Sequence, residues 1–151
     1  MTAGLSVLIV DDSEDLRELL SMVIERDPEG WHVVATAAEG EQAIREARSS
    51  QPDLVLLDIA MPVMDGIQAL PHIREVAPRA VVVMLSGYPF STAGQGALNA
   101  GAHGYLEKSD LVRGLVPRLK RILESQDGEE QDGEDQDTDD RDARSRDAGD
   151  S

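Results

Sequence analysis

Apolar positions along the first 124 residues follow two periods in turn. Short aliphatic and β-branched runs at 5–10, 31–37, 53–57, 80–85 and 104–106 have the length and composition of strands. Between them the spacing becomes helical. Leu16, Leu19, Leu20, Val23 and Ile24 recur at i, i+3, i+4, i+7 and i+8, which predicts a helix over about 14–26. Further helices are predicted over 40–48, 66–76, a weak one near 92–100, and a last one ending near 124; Asp27-Pro28-Glu29-Gly30 and Gln51-Pro52 act as breaks. Five successive βα units predict an α/β fold, a doubly wound five-stranded parallel sheet of order 2-1-3-4-5 with helices on both faces. The near-continuous runs at 5–10, 53–57 and 80–85 suit strands buried on both faces, and the more mixed 31–37 suits an edge.

Each central run ends in a reactive type of residue: 5–10 in Asp11-Asp12, 53–57 in Asp58, 80–85 in Ser86, and 104–106 in Lys108 two positions on. In a parallel sheet the carboxyl ends of the strands share one edge, and the site forms where the strand order reverses, here between the first and third strands. Three carboxylates, a hydroxyl and an ammonium at one edge suit a divalent cation and a phosphoryl group. Two like charges ~4 Å apart repel by about 4 kcal/mol at an effective dielectric of 20. Without a cation or Lys108, at least one of the acids is expected to have a raised pKa. Singly these residues have plainer readings: Asp11 and Asp12 as caps of the following helix, Ser86 as turn chemistry before Gly87, Lys108 as a solvated charge. Their joint placement at matching strand ends is what points to a site. His32, His72 and His103 lack ligand spacing and read as structural or surface residues.

Composition narrows the class. Thirty acidic against 14 basic residues give a net charge of −16, so no DNA partner is expected. There is no cysteine, which removes disulfides and thiolate metal sites. No apolar run approaches the ~18 residues needed to cross a bilayer and no basic signal region opens the chain, so a cytoplasmic protein with no membrane partner is expected. Residues 125–151 hold twelve Asp or Glu, three Arg and no large apolar side chain, and are expected to form an acidic disordered tail after a domain spanning 1–124. That tail reads as a solubilising segment, or as a shield for Arg118, Lys120 and Arg121. Its Asp135-x-Asp137-x-Asp139 spacing imitates a calcium loop, but Asp140 and Arg146 stand where the turn glycine and the bidentate glutamate belong.

The ordered motifs Val10-Asp11-Asp12, Leu57-Asp58-Ile59-Ala60-Met61-Pro62-Val63-Met64-Asp65-Gly66, Leu85-Ser86-Gly87 and Tyr105-Leu106-Glu107-Lys108 resemble the receiver domain of bacterial response regulators, over about 5–124. The resemblance implies a flavodoxin-like (βα)5 fold and a stand-alone response regulator in a two-component phosphorelay. It implies that Asp58 is the phosphorylation site and that Mg2+ is held by Asp11, Asp12, Asp58 and the carbonyl of Ala60. It further implies that Ser86 and Lys108 contact the phosphoryl oxygens, and that Tyr105 reports the position of Ser86. A sensor histidine kinase or phosphotransfer protein would be the donor. Output would pass through the face of the fourth helix, fifth strand and fifth helix to a downstream protein, or through a phosphorylation-dependent homodimer. No turnover of an external substrate is expected.

Some positions depart from the family pattern. Ser109 follows Lys108 where proline is usual, Pro71 and Pro117 fall in predicted helices where kinks or late starts are expected, and Gly94 and Gly96 weaken the fourth helix. That stretch, 87–100, is expected to shift on phosphorylation. Other functions fit less well. A haloacid-dehalogenase-type enzyme needs an acid where Ala60 stands. A flavin binder needs phosphate-binding hydroxyls and amides where Asp11 and Asp12 stand. Residues after Glu124 are too few and too acidic for a helix-turn-helix. A plain interaction module would not need the acidic site.

Overall fold

Successive residues of one strand serve two separate cores. In β1 (Ser6–Val10), Val7 and Ile9 pack with Leu20, Ile24, Leu119 and Leu123, whereas Leu8 and Val10 pack with Ala43, Ala47, Leu70 and Ile73. Period-2 alternation sends neighbouring side chains to opposite faces, so a strand covered on both must be apolar throughout. The computed structural model describes residues 4–132. β1, β2 (His32–Ala37), β3 (Leu54–Leu57), β4 (Val81–Ser86) and β5 (Gly104–Glu107) are all parallel and lie in the order β2-β1-β3-β4-β5, as the pattern predicts. The helices are α1 (Glu14–Glu25), α2 (Gly40–Ser50), α3 (Gly66–Val76), α4 (Phe90–Asn99) and α5 (Leu115–Asp132), with a 3-10 helix over Lys108–Arg113. Among these, none is long and apolar enough to cross a membrane.

Several boundaries differ from expectation for identifiable reasons. The last helix does not stop near 124. It runs to Asp132, because a nucleated helix adds residues at little cost and Gln126 ties it to the His103 carbonyl. Residues 125–132 therefore extend α5 instead of opening a tail, while 133–151, including the calcium-loop imitation, lie outside the described residues. Pro117 is the third residue of α5, where its missing N–H has no intrahelical acceptor to lose. Pro71 sits inside α3, which continues past it. Ser109 falls in the first turn of the 3-10 helix, after Lys108 has left β5.

α4 begins two residues early, at Phe90, and lacks a side-chain cap at Pro89; the Glu107 carboxylate of β5 accepts the Phe90 N–H at 2.9 Å instead. Gly94 has a packing reason, since a Cβ there would overlap the Phe90 ring. Lys120, expected to be available to the tail, is already bound: it lies 3.3 Å from both Asp27 and Glu29 and 6.0 Å from the Trp31 ring centre.

Candidate functional site

Among the described residues the buried polar or charged side chains are Asp11, Asp58 and Ser86, each no more than 2% exposed. All three leave the carboxyl ends of neighbouring strands. Val10 pairs with Leu57, so Asp11 and Asp58 step off the sheet side by side, and the Asp58 N–H donates to the Val10 carbonyl at 3.0 Å. Ser86 ends β4, the strand on the other side of β3, and pairs with Glu107, which places Lys108 at the same edge. The Lys108 ammonium lies 2.9 Å from Asp11 Oδ2 and 3.3 Å from Asp58 Oδ1.

Local structure holds each group. Ser13, not Asp11 or Asp12, caps α1 by accepting the Leu16 N–H at 3.2 Å, and Asp11 Oδ1 accepts the Ser13 N–H at 2.9 Å. Arg17 locks the loop through the Asp11 carbonyl at 2.7 Å. Asp12 is exposed and Asp58 Oδ1 receives the Ala60 N–H at 3.4 Å. Behind Asp58 the chain turns tightly. Met64 N–H donates to the Pro62 carbonyl at 2.8 Å around Val63, whose φ of 70° is strained for a β-branched residue. The start of α3 then sits directly on β3, with the Gly66 N–H on the Ile59 carbonyl at 2.8 Å. A Cβ at Gly66 would overlap the Asp58 carbonyl. Gly66→Ala is expected to cost about 1–3 kcal/mol through the backbone shift it forces. A urea midpoint equal to wild type would reject this close-approach account.

The electrostatics follow from burial. Asp58 is pushed up from 3.8 to about 6, first by desolvation and then by the Asp11 charge, with Lys108 and the Ala60 N–H opposing. Burial alone would lower Lys108, but its bond to Asp11 and the charges of Asp58 and Asp11 outweigh that and raise it. Asp11, Asp12 and Asp58 each offer an oxygen within 4.8 Å of the others. Asp11 Oδ2 is buried, with the Lys108 ammonium at 2.9 Å as its ion-pair partner. Oxygen donors of this kind fit a hard dication such as Mg2+. Ser86 Oγ accepts the Tyr88 N–H at 2.9 Å. Tyr105 is not in the acidic pocket: its hydroxyl donates to the Tyr88 carbonyl at 2.7 Å and its ring meets Phe90 edge-on at 5.5 Å.

The model of the response regulator receiver domain matches residues 7–120. The chain belongs to that family. This receiver domain is 40% identical over 111 residues to a protein-glutamate methylesterase/protein-glutamine glutaminase of Rhodospirillum centenum, covering 72% of this chain and 28% of that protein. It is 35% identical over 133 residues to one from a Nocardioides species, covering 80% of this chain and 36% of the relative. The chain spans roughly a third or less of the length of these curated relatives. Among solved structures, the response regulator domain of Thermotoga maritima CheB matches with a TM-score of 0.71 at 30% identity, covering 80% of this chain and 94% of that one. A chain of the CheX-CheY-BeF3-Mg+2 complex of Borrelia burgdorferi matches with a TM-score of 0.64 at 34% identity, covering 70% and 78%.

Sequence reasoning named Asp11, Asp12, Asp58, Ser86, Lys108 and Tyr105, but missed Ser13, Arg17 and Glu107. Ser13 was visible as a serine just before a helical pattern. Arg17 and Glu107 act on backbone groups of distant segments, and no local pattern marks such contacts.

Proposed function

We propose that the chain works in a two-component phosphorelay as the receiver of a response regulator, with Asp58 accepting a phosphoryl group from a histidine kinase or phosphotransfer protein. The observation that carries this reading is the burial of Asp11, Asp58 and Ser86 at one strand edge beneath the Lys108 ammonium. A desolvated carboxylate held ionised by a cation is a competent nucleophile. Its oxygen bonds to phosphorus as the bond from phosphorus to the donor's imidazole nitrogen breaks, and that nitrogen keeps the electron pair. Lys108 neutralises charge on the transferring oxygens and Ser86 donates its hydroxyl to one of them. Asp11, Asp12, Asp58 and the Ala60 carbonyl would hold Mg2+, which supplies further charge neutralisation; the BeF3 and Mg2+ named in the Borrelia complex support this assignment. The reaction is acceptance and slow self-release, without turnover of an external substrate. The relatives' names favour one output in particular, control of a protein-glutamate methylesterase.

Incubation with acetyl phosphate and Mg2+, followed by intact mass measurement, tests the reading. Wild type is expected to gain one phosphoryl group and Asp58→Asn none; label retained in Asp58→Asn would place the chemistry elsewhere.

Signalling would start at Tyr88, which is tethered at both ends, by its N–H to Ser86 and by its carbonyl to Tyr105. Drawing the Ser86 hydroxyl toward a phosphoryl oxygen loosens the first tether and frees 87–100 to shift. Tyr88 and Phe90, 46% and 44% exposed, would then re-present an apolar surface beside α4 to a partner or a second copy. Hydrogen exchange over 87–100 is expected to change with beryllofluoride and Mg2+; identical protection would reject the switch.

A further inference from the structure

The Arg17 guanidinium reaches back over the loop between β1 and α1 to a backbone oxygen. Its Nη1 donates to the Asp11 carbonyl at 2.7 Å, while its own N–H donates to the Ser13 carbonyl at 3.0 Å. A hydrogen bond from an ionised donor is roughly twice as strong as a neutral one. Carboxylates are closer along the chain: Glu14 and Glu18 line the same cleft as Arg17, and residues three apart are neighbours on a helix surface. Among the described residues Arg17 nevertheless makes no ion pair. The half-buried guanidinium is committed to the loop.

This bond acts on the link between two acids of the site. The Asp11 carbonyl and the Asp12 N–Cα bond belong to one planar peptide unit, so holding the oxygen fixes the direction in which Asp12 leaves the sheet edge. Asp11 has further restraints. Its N–H donates to the Ala37 carbonyl at 3.0 Å, and its carboxylate takes the Ser13 N–H and the Lys108 ammonium, each at 2.9 Å. Asp12 has none of these: its side chain is exposed and, among the described residues, makes no hydrogen bond or ion pair. An Asp12 oxygen still lies within 4.8 Å of oxygens from Asp11 and Asp58. Like charges so close repel. The backbone is what keeps Asp12 there.

We propose that Arg17 is a positioning residue for the dication, holding the Asp11 carbonyl so that the Asp12 carboxylate stays beside Asp11 and Asp58. This role rests on the reading of the edge as a Mg2+ site and names the residue that sets its affinity. Two effects of Arg17 oppose each other. Its positive charge repels a dication, whereas its hold on the loop removes in advance the freedom that Asp12 would lose on binding. The sign of the affinity change on removing the guanidinium shows which one governs.

Mg2+ titrated calorimetrically into the full-length protein, with no phosphoryl donor, tests this. Arg17→Met keeps much of the aliphatic stem and is expected to weaken Mg2+ binding about tenfold, the lower end of the effect of losing an outer-shell partner. Arg17→Lys retains a charged donor and should recover most of the affinity. Before Mg2+ is added, the Asp12 and Ser13 amide signals should move in Arg17→Met, while those of Val82 and His103, at the opposite edge of the sheet, stay in place and report an intact fold. Arg17→Gln, a shorter and neutral donor, is the second variant should Arg17→Met not fold, and the same weakening is expected. Affinity equal to or tighter than wild type in the variant lacking the charge would overturn the proposal, as would Arg17→Lys binding as weakly as Arg17→Met. Labelling by acetyl phosphate is scored separately. Wild type that binds Mg2+ but gains no phosphoryl group would overturn the proposed function and leave the positioning role standing; wild type that binds no Mg2+ would overturn the positioning role.

Discussion

Lys108→Met is expected to destabilise the metal-free protein by about 3 kcal/mol at pH 7. Removing one partner of a buried ion pair costs roughly 3–5 kcal/mol, because the remaining charge stays desolvated. The lower end applies because the Lys108 side chain keeps 28% of its surface exposed. Two buried carboxylates share this one ammonium, at 2.9 and 3.3 Å, so its loss leaves Asp11 and Asp58 to repel each other. Lys108 is among the influences that hold the Asp58 pKa down, so in the variant that pKa rises beyond about 6. Protonating Asp58 relieves the repulsion, and the variant should recover part of the lost stability on acidification. Methionine keeps most of the lysine's bulk, which separates the charge from packing. Labelling by acetyl phosphate should fall by a factor on the order of 100 to 1,000, the usual consequence of removing one preorganised electrostatic contact from a transition state. Urea midpoints at pH 7 and pH 5, with the labelling rate, check this; a midpoint unchanged at pH 7 would sink it.

Asp58→Asn should act in the opposite direction on stability while abolishing labelling. A carboxyl with a pKa of 3.8 when unfolded and about 6 when folded keeps its proton longer in the native state. Between those values the native state binds more protons than the unfolded chain, so stability falls as pH rises through the window. The penalty is absent below about pH 4 and complete above about pH 6, where it amounts to about 3 kcal/mol at ~1.36 kcal/mol per pH unit. Asparagine is neutral throughout and avoids it. The variant should therefore be more stable than wild type by up to about 3 kcal/mol at pH 7, and the two should converge near pH 4. Mg2+ should narrow the gap from the other side, because an ion that binds the folded wild type stabilises it by mass action. An equal difference at pH 4 and pH 7 would show that Asp58 is not the titrating group.

Both effects have the same cause. The fold buries acids that the proposed phosphoryl transfer would use, at a cost in stability that a neighbouring cation offsets. The strained turn at Val63, of the kind that costs about 1–3 kcal/mol, belongs to the same loop behind Asp58.

The strand order, the shared edge and the meeting of Asp11, Asp58, Ser86 and Lys108 were legible in the amino-acid sequence. Alternating periods specify βα units, right-handed crossovers leave few topologies, and a parallel sheet brings strand ends together whatever the loops do. Local reading of Gly94 and Gly96 suggested only that α4 would be weakened. Tertiary structure alone decided how those residues are held. Whether Gly66 is needed depends on how closely α3 approaches the Asp58 carbonyl, and whether Gly94 weakens α4 or admits Phe90 depends on a ring four residues away. Glu107 capping α4, Arg17 locking the Asp11 loop, Lys120 pairing with Asp27 and the helical continuation to Asp132 depend on contacts between segments far apart in the chain or on helix propagation. Periodicity records which face a residue occupies and is silent on which distant polar atom lies across from it. The charge and burial of each site residue therefore follow from the sequence in kind, and from the packed structure in degree.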